Sequence, residues 1–132
     1  MAIKIDWATE RNAPGSELAA EMAAALSTCY LIFKDENADY ANRCLQNARD
    51  LYDFANEYQG KYSDSSPQVE PFYKSWGGYQ DELCWGALWL YRATGQNSYL
   101  NIARGYYSNS IRKASLQPKM TLCYVTYVEA KK

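Results

Sequence analysis

Apolar residues return every three or four positions through the first half of the chain. Leu18, Met22, Ala25, Leu26, Cys29 and Phe33 fall at helical spacing, which predicts an amphipathic helix over Glu17 to Phe33. Pro14-Gly15 precedes it, and Ser16 suits the N-cap because its hydroxyl can satisfy a first-turn backbone N–H. The polar turn Lys34-Asp35-Glu36-Asn37 leads into a second predicted helix, Ala38 to Tyr58. Its core face is Ala41, Leu45, Ala48, Leu51, Phe54 and Ala55 or their close neighbours, and Gly60 is the expected stop. So short a connection implies an antiparallel αα-hairpin.

Periodicity lapses from Lys61 to Gln80, where Ser63-Asp64-Ser65-Ser66-Pro67, Pro71 and Gly77-Gly78 predict a long loop. Loops of that length in a compact domain are usually functional or disordered. The aromatics Tyr62, Phe72, Tyr73, Trp76 and Tyr79 argue against disorder. A third helix is predicted from Asp81 to Ala93, ended by Gly95, and a fourth from Ser98 to Tyr107. Asp39-Tyr40-Ala41-Asn42, followed by Ala48-Arg49, is echoed by Ser98-Tyr99-Leu100-Asn101, followed by Ala103-Arg104. Two hairpins with similar second helices predict an all-α fold of the α/α solenoid or toroid kind. Such arrays generally need more hairpins than two, so something is missing. Met120 to Val128 reads MTLCYVTYV, β-branched and aromatic with partial alternation, which predicts a strand that an all-α array does not explain.

Composition narrows the chemistry. The chain carries 3 Phe, 4 Trp and 13 Tyr but no histidine. That excludes Ser-His-Asp and Cys-His nucleophiles, HExxH metalloproteases and histidine-ligated zinc. With 14 basic against 15 acidic residues, no cationic field exists to attract nucleic acid or an anionic membrane. No apolar run approaches the roughly 20 residues of a membrane span. Met1-Ala2-Ile3-Lys4-Ile5-Asp6 lacks the apolar core of a secretion signal. Cys29, Cys44, Cys84 and Cys123 are too scattered for CxxC chemistry. The first three lie in apolar stretches, where a free thiol acts as a small buried hydrophobe, with a disulfide as the alternative.

The most informative segment is Phe72-Tyr73-Lys74-Ser75-Trp76-Gly77-Gly78-Tyr79-Gln80-Asp81-Glu82. The ring faces of Tyr73, Trp76 and Tyr79 can stack on the C–H face of a sugar. Gly77 and Gly78 let the backbone turn tightly and expose its carbonyls. With those carbonyls, Asp81 and Glu82 form a hard-oxygen cluster suited to Ca²⁺. The same two carboxylates also suit the positive end of the third helix, with Trp85, Trp89 and Tyr91 as core. They do not make a glycosidase acid–base pair. Such carboxylates face each other across the substrate, roughly 5–9 Å apart, whereas neighbours at a helix start diverge around its axis.

Several segments carry a family likeness. Pro14-Gly15-Ser16-Glu17-Leu18-Ala19-Ala20-Glu21 with Ala23-Ala24-Ala25-Leu26 resembles the PGSE-type helix start of glycoside hydrolase family 9 endoglucanases. Leu51-Tyr52-Asp53-Phe54-Ala55, Gly60-Lys61-Tyr62-Ser63-Asp64, and the stretch from Gly78 through Trp85-Gly86-Ala87-Leu88-Trp89 to Gly95 resemble the same enzymes. Ile3-Lys4-Ile5-Asp6 is similar to the approach to that first helix. The likeness runs in order over roughly residues 2–109.

The resemblance implies an (α/α)6 barrel, the six-hairpin glycosidase fold, of which about four helices are present here. It implies inverting hydrolysis of internal β-1,4-glucosidic bonds of cellulose by a secreted parent enzyme. Tyr73 then matches a tyrosine lining the cleft near the cleavage point, and Trp76 an aromatic sugar platform. Gly77, Gly78, Asp81 and Glu82 match a calcium loop, although the family usually has Ser at the position of Gly77. The DAGD-type motif with its catalytic Asp pair is not in this sequence and is expected upstream of Met1. The His-and-Arg motif and the general-acid Glu are expected downstream, where residues 110–132 read as a divergent tail. The expectation is therefore a partial catalytic domain over residues 1–109 that binds β-1,4-glucan and carries no catalytic residue. It should self-associate through faces left uncovered. The competing readings are a non-catalytic carbohydrate-binding remnant and a helical interaction module.

Overall fold

Helix α1 (Ser16–Phe33) is apolar on almost every side, so its sequence alone gives it no single face to bury. In the computed structural model, which describes residues 15–60 and 79–112 together with Cys123 and Val128, side-chain size makes that choice. Ala19, Ala20, Ala23, Ala24 and Ser27 turn inward, while Leu18 and Met22 are 43% and 47% exposed. The face expected to be buried is thus largely the open one. Small side chains win because two other helices pack closely here, and each alanine lets a backbone approach. Ser27 satisfies its buried hydroxyl by donating to the Ala23 carbonyl at 2.8 Å.

A tight polar turn leads to α2 (Ala38–Glu57), capped by Asn37, whose Oδ1 accepts from the Tyr40 N–H at 3.2 Å. The buried stripe is Ala41, Cys44, Ala48, Tyr52 and Ala55, with Leu45, Leu51 and Phe54 half-buried beside it. The return connection makes the expected antiparallel hairpin. Its open end is fastened by Ser16, which begins α1 rather than capping it; the cap position belongs to Gly15. The Ser16 N–H donates to the Gly60 carbonyl, its hydroxyl donates to the Tyr58 carbonyl, and the Gly60 N–H donates back to Ser16 Oγ. Gly60 therefore closes the hairpin and does not terminate α2 in a left-handed conformation.

The second hairpin is α3 (Gln80–Thr94) and α4 (Asn97–Arg112), joined through Gly95 at φ 72. That left-handed angle is what glycine supplies at a helix C-terminus, and the Gly95 N–H closes on the Tyr91 carbonyl at 2.7 Å. Helix α1 packs on both α2 and α3, and α3 on α4. Partners along α2 rise in step with those along α4. Arg49 donates to Gln96, Tyr52 meets Tyr99 edge-to-face at 6.1 Å, and Tyr106 donates to Asn56. Helices α2 and α4 therefore run in one direction, and α1 and α3 together in the other.

Leu83, Leu88 and Leu90 are fully buried, as is Tyr52, whose hydroxyl donates to the Leu83 carbonyl at 2.7 Å. Trp85, Trp89 and Tyr91, expected in the core, are only half-buried. Cys84 is not a free thiol; it forms a disulfide with Cys123, 39 residues on. Nothing in the spacing announces that a residue so distant returns to α3. Cys123 and Val128 both have helical backbone, which corrects the strand expected over Met120 to Val128 at the two positions described. Among the described residues the secondary structure is helical throughout.

The α1–α3 seam makes a direct prediction. A Cβ on Gly86 would lie 3.0 Å from the Ala20 carbonyl oxygen and 3.1 Å from the Tyr52 ring. Gly86→Ala should cost about 1–3 kcal/mol by overpacking, and Tyr52→Phe about 1 kcal/mol by losing one buried hydrogen bond. Both should lower the urea midpoint with an unchanged denaturant slope. A neutral Gly86→Ala would mean that the two helices are not held at this separation.

Candidate functional site

The parallel arrangement of α1 and α3 brings their N-terminal turns to the same end of the molecule. Ala20 lies against Gly86, so Glu17, one turn before Ala20, and Asp81 and Glu82, just over one turn before Gly86, share that end. All three carboxylates are 5% exposed. Burying an ionised carboxylate is costly unless something compensates. The positive dipole end of each helix provides part of that compensation, and neither helix has a side-chain cap at its N-terminus. Asp81 Oδ1 has no hydrogen-bond partner among the described residues.

The residues singled out in the sequence divide into two groups. Asp81 and Glu82 stand together in the first turn of α3, buried, with Tyr79 at its N-cap. Tyr73, Trp76, Gly77 and Gly78 lie outside the described residues, as does the remainder of the loop over residues 61–78. Among the described residues no three metal-ligating side chains gather at one point, so Glu17 does not join Asp81 and Glu82 in a closed cage.

Sequence reasoning missed Glu17 and Tyr52. Glu17 is the second residue of α1, in a first turn where an acid is ordinarily solvated, and no local pattern marks it as buried. Tyr52 stands beside Leu51, which the periodicity preferred for the core. Burial pushes the Tyr52 phenol well above the ordinary tyrosine range, and the same cause raises Tyr99 and Tyr106. Tyr52 and Tyr106 donate to the Leu83 carbonyl and to Asn56, while Tyr99 accepts from Arg49. They bind the two hairpins together and offer no base.

The profile described as glycosyl hydrolase family 9 matches residues 4–130. The chain belongs to that family. Endoglucanase A of Bacillus pumilus is 50% identical over 102 residues, which cover 77% of this chain and 15% of that protein. The structure of an endoglucanase from the termite Nasutitermes takasagoensis, 45% identical, superposes with a TM-score of 0.77 over 83% of this chain and 25% of that one. The cellulase Cel9M of C. cellulolyticum, solved in complex with cellobiose, is 32% identical with a TM-score of 0.66, covering 74% of this chain and 21% of its own. This family 9 chain thus spans about a seventh to a quarter of the length of these relatives. Its four helices are part of the (α/α)6 barrel fold of those cellulases. No helix among the described residues is long and apolar enough to cross a membrane.

Proposed function

We propose that this chain is a section of an inverting endo-β-1,4-glucanase that supplies part of the substrate cleft without the residues that break the bond. The carrying observation is the co-linear match to endoglucanases over most of the chain, set beside a sequence with no histidine and no DAGD-type segment. Tyr73 and Trp76 are the residues assigned to β-1,4-glucan, because flat aromatic faces fit the C–H faces of glucose rings. The Cys84–Cys123 disulfide supports a secreted parent, since such bonds persist in oxidising surroundings.

The purified 132-residue chain should release no reducing ends from carboxymethyl cellulose. Sustained turnover that survives Asp81→Ala and Glu82→Ala would falsify this reading. Binding of cello-oligosaccharide should persist and weaken up to about tenfold in Trp76→Ala, the loss of one ring contact. A chain indifferent to cello-oligosaccharide favours the helical interaction module instead.

Calcium fits the donor set. Asp81 and Glu82 are buried carboxylates of the hard-oxygen kind, and Asp81 Oδ1 has no hydrogen-bond partner among the described residues. With the Gly77 and Gly78 carbonyls they would hold the ion, which would neutralise buried charge and tether the loop to α3. Added calcium should raise the melting midpoint by several degrees, chelator should reverse it, and Asp81→Asn should abolish the response. An equal response in Asp81→Asn would place the ion elsewhere.

The open stripe of α1 supports self-association. Leu18, Met22 and Ile32 lie on one side of the helix, 43%, 47% and 62% exposed. Sedimentation should show concentration-dependent oligomers that Leu18→Glu with Met22→Glu disperses. A wild-type chain that stays monomeric at high concentration would remove this part of the reading.

A further inference from the structure

Two cysteines that the glucanase reading does not use face each other across the first hairpin. Cys29 is in the last turns of α1 and Cys44 in the second turn of α2, and their sulfurs are 2.8 Å apart. We propose that Cys29 and Cys44 form a redox-active thiol pair that closes into a second disulfide, locking α1 to α2, by exchange with a low-molecular-weight disulfide.

The geometry favours closure without rearrangement. A covalent S–S bond is about 2.05 Å long, so less than an ångström of sulfur movement separates the pair from bonding. The hairpin holds the thiols at the same height, 15 residues apart, because its connecting turn is short. Cys84 and Cys123 are already joined, so closure would leave every cysteine of the chain paired.

Exposure sets the order of events. Cys29 is half-buried at the rim of the α1–α2 seam, next to the open stripe of α1, whereas Cys44 is 5% exposed. The hydrogen bond with Cys29, and then burial, raise Cys44 above the ordinary thiol range. The Tyr40 phenol beside them is raised as well, chiefly by its hydrogen bond to Cys29, and keeps its proton. Cys29 is the sulfur a small reagent can reach. Its thiolate attacks one sulfur of the external disulfide; that S–S bond breaks, and one thiolate leaves. Cys44 then loses its proton and attacks the Cys29 sulfur of the mixed disulfide, expelling the second thiolate. Two protein thiols are oxidised, one external disulfide is reduced to two thiols, and the two protons released by the cysteines are taken up by the two leaving groups.

The test uses the whole chain with glutathione disulfide as the reagent. Thiol titration of the folded protein should fall from two groups to none. A non-reducing peptide map should join Cys29 to Cys44 with Cys84–Cys123 intact, and the melting midpoint should rise by about 10 °C. Cys44→Ser should instead retain a glutathione adduct on Cys29, and Cys29→Ser should leave Cys44 unmodified. Circular dichroism of both serine variants confirms that they fold. The proposal is overturned if both thiols persist in the folded chain yet react after unfolding in urea, or if the map joins Cys29 or Cys44 to the other two cysteines. Neither outcome depends on cellulose or calcium, so it stands or falls apart from the glucanase reading.

Discussion

The Ala20 carbonyl oxygen lies 3.0 Å from where a side chain on Gly86 would begin, and the rest of the arrangement is built around that approach. Two helices this close need small residues on both surfaces. Helix α1 provides Ala19, Ala20, Ala23 and Ala24, and α3 provides Gly86 and Ala87. Tyr52 fills the space beside the seam with its ring and ties its hydroxyl to the Leu83 carbonyl, so α2 is drawn against both. Once α1 and α3 are parallel and in contact, their N-terminal turns must share an end, and the buried acids of both helices gather there.

Burial at that end requires compensation, and the chain supplies it in layers. The positive ends of two helix dipoles lie at the same end of the molecule as Glu17, Asp81 and Glu82, and both favour negative charge there. A divalent cation would add to this at Asp81 Oδ1, which has no partner among the described residues. The hydroxyls of the buried tyrosines serve a different purpose, since they stay protonated and link one hairpin to the next.

The order and extent of the helices were legible, because their punctuation is local. The polar turn before Ala38 and the glycine stop at Gly95 declare themselves in a few residues. The inward face of α1 was not legible. Periodicity finds hydrophobes, whereas an apolar helix in a crowded place is oriented by bulk, and alanine carries little hydropathic signal. Cys123 was misread for a related reason: β-branched neighbours favour strand locally, and the bond to Cys84 joins residues no window spans. Of the candidate site, the place of Asp81 and Glu82 at a helix start was readable, but their depth depended on α1 arriving beside them. Family likeness gave what periodicity could not, namely that these helices are part of a larger ring.

The three hydrogen bonds at Ser16 have a topological consequence. They join the point where the chain enters the first hairpin to the point where it leaves, at Tyr58 and Gly60. The chain therefore enters and leaves the first hairpin at one place, so residues 15–60 form a closed loop whose two ends are held together by bonds that do not involve the second hairpin.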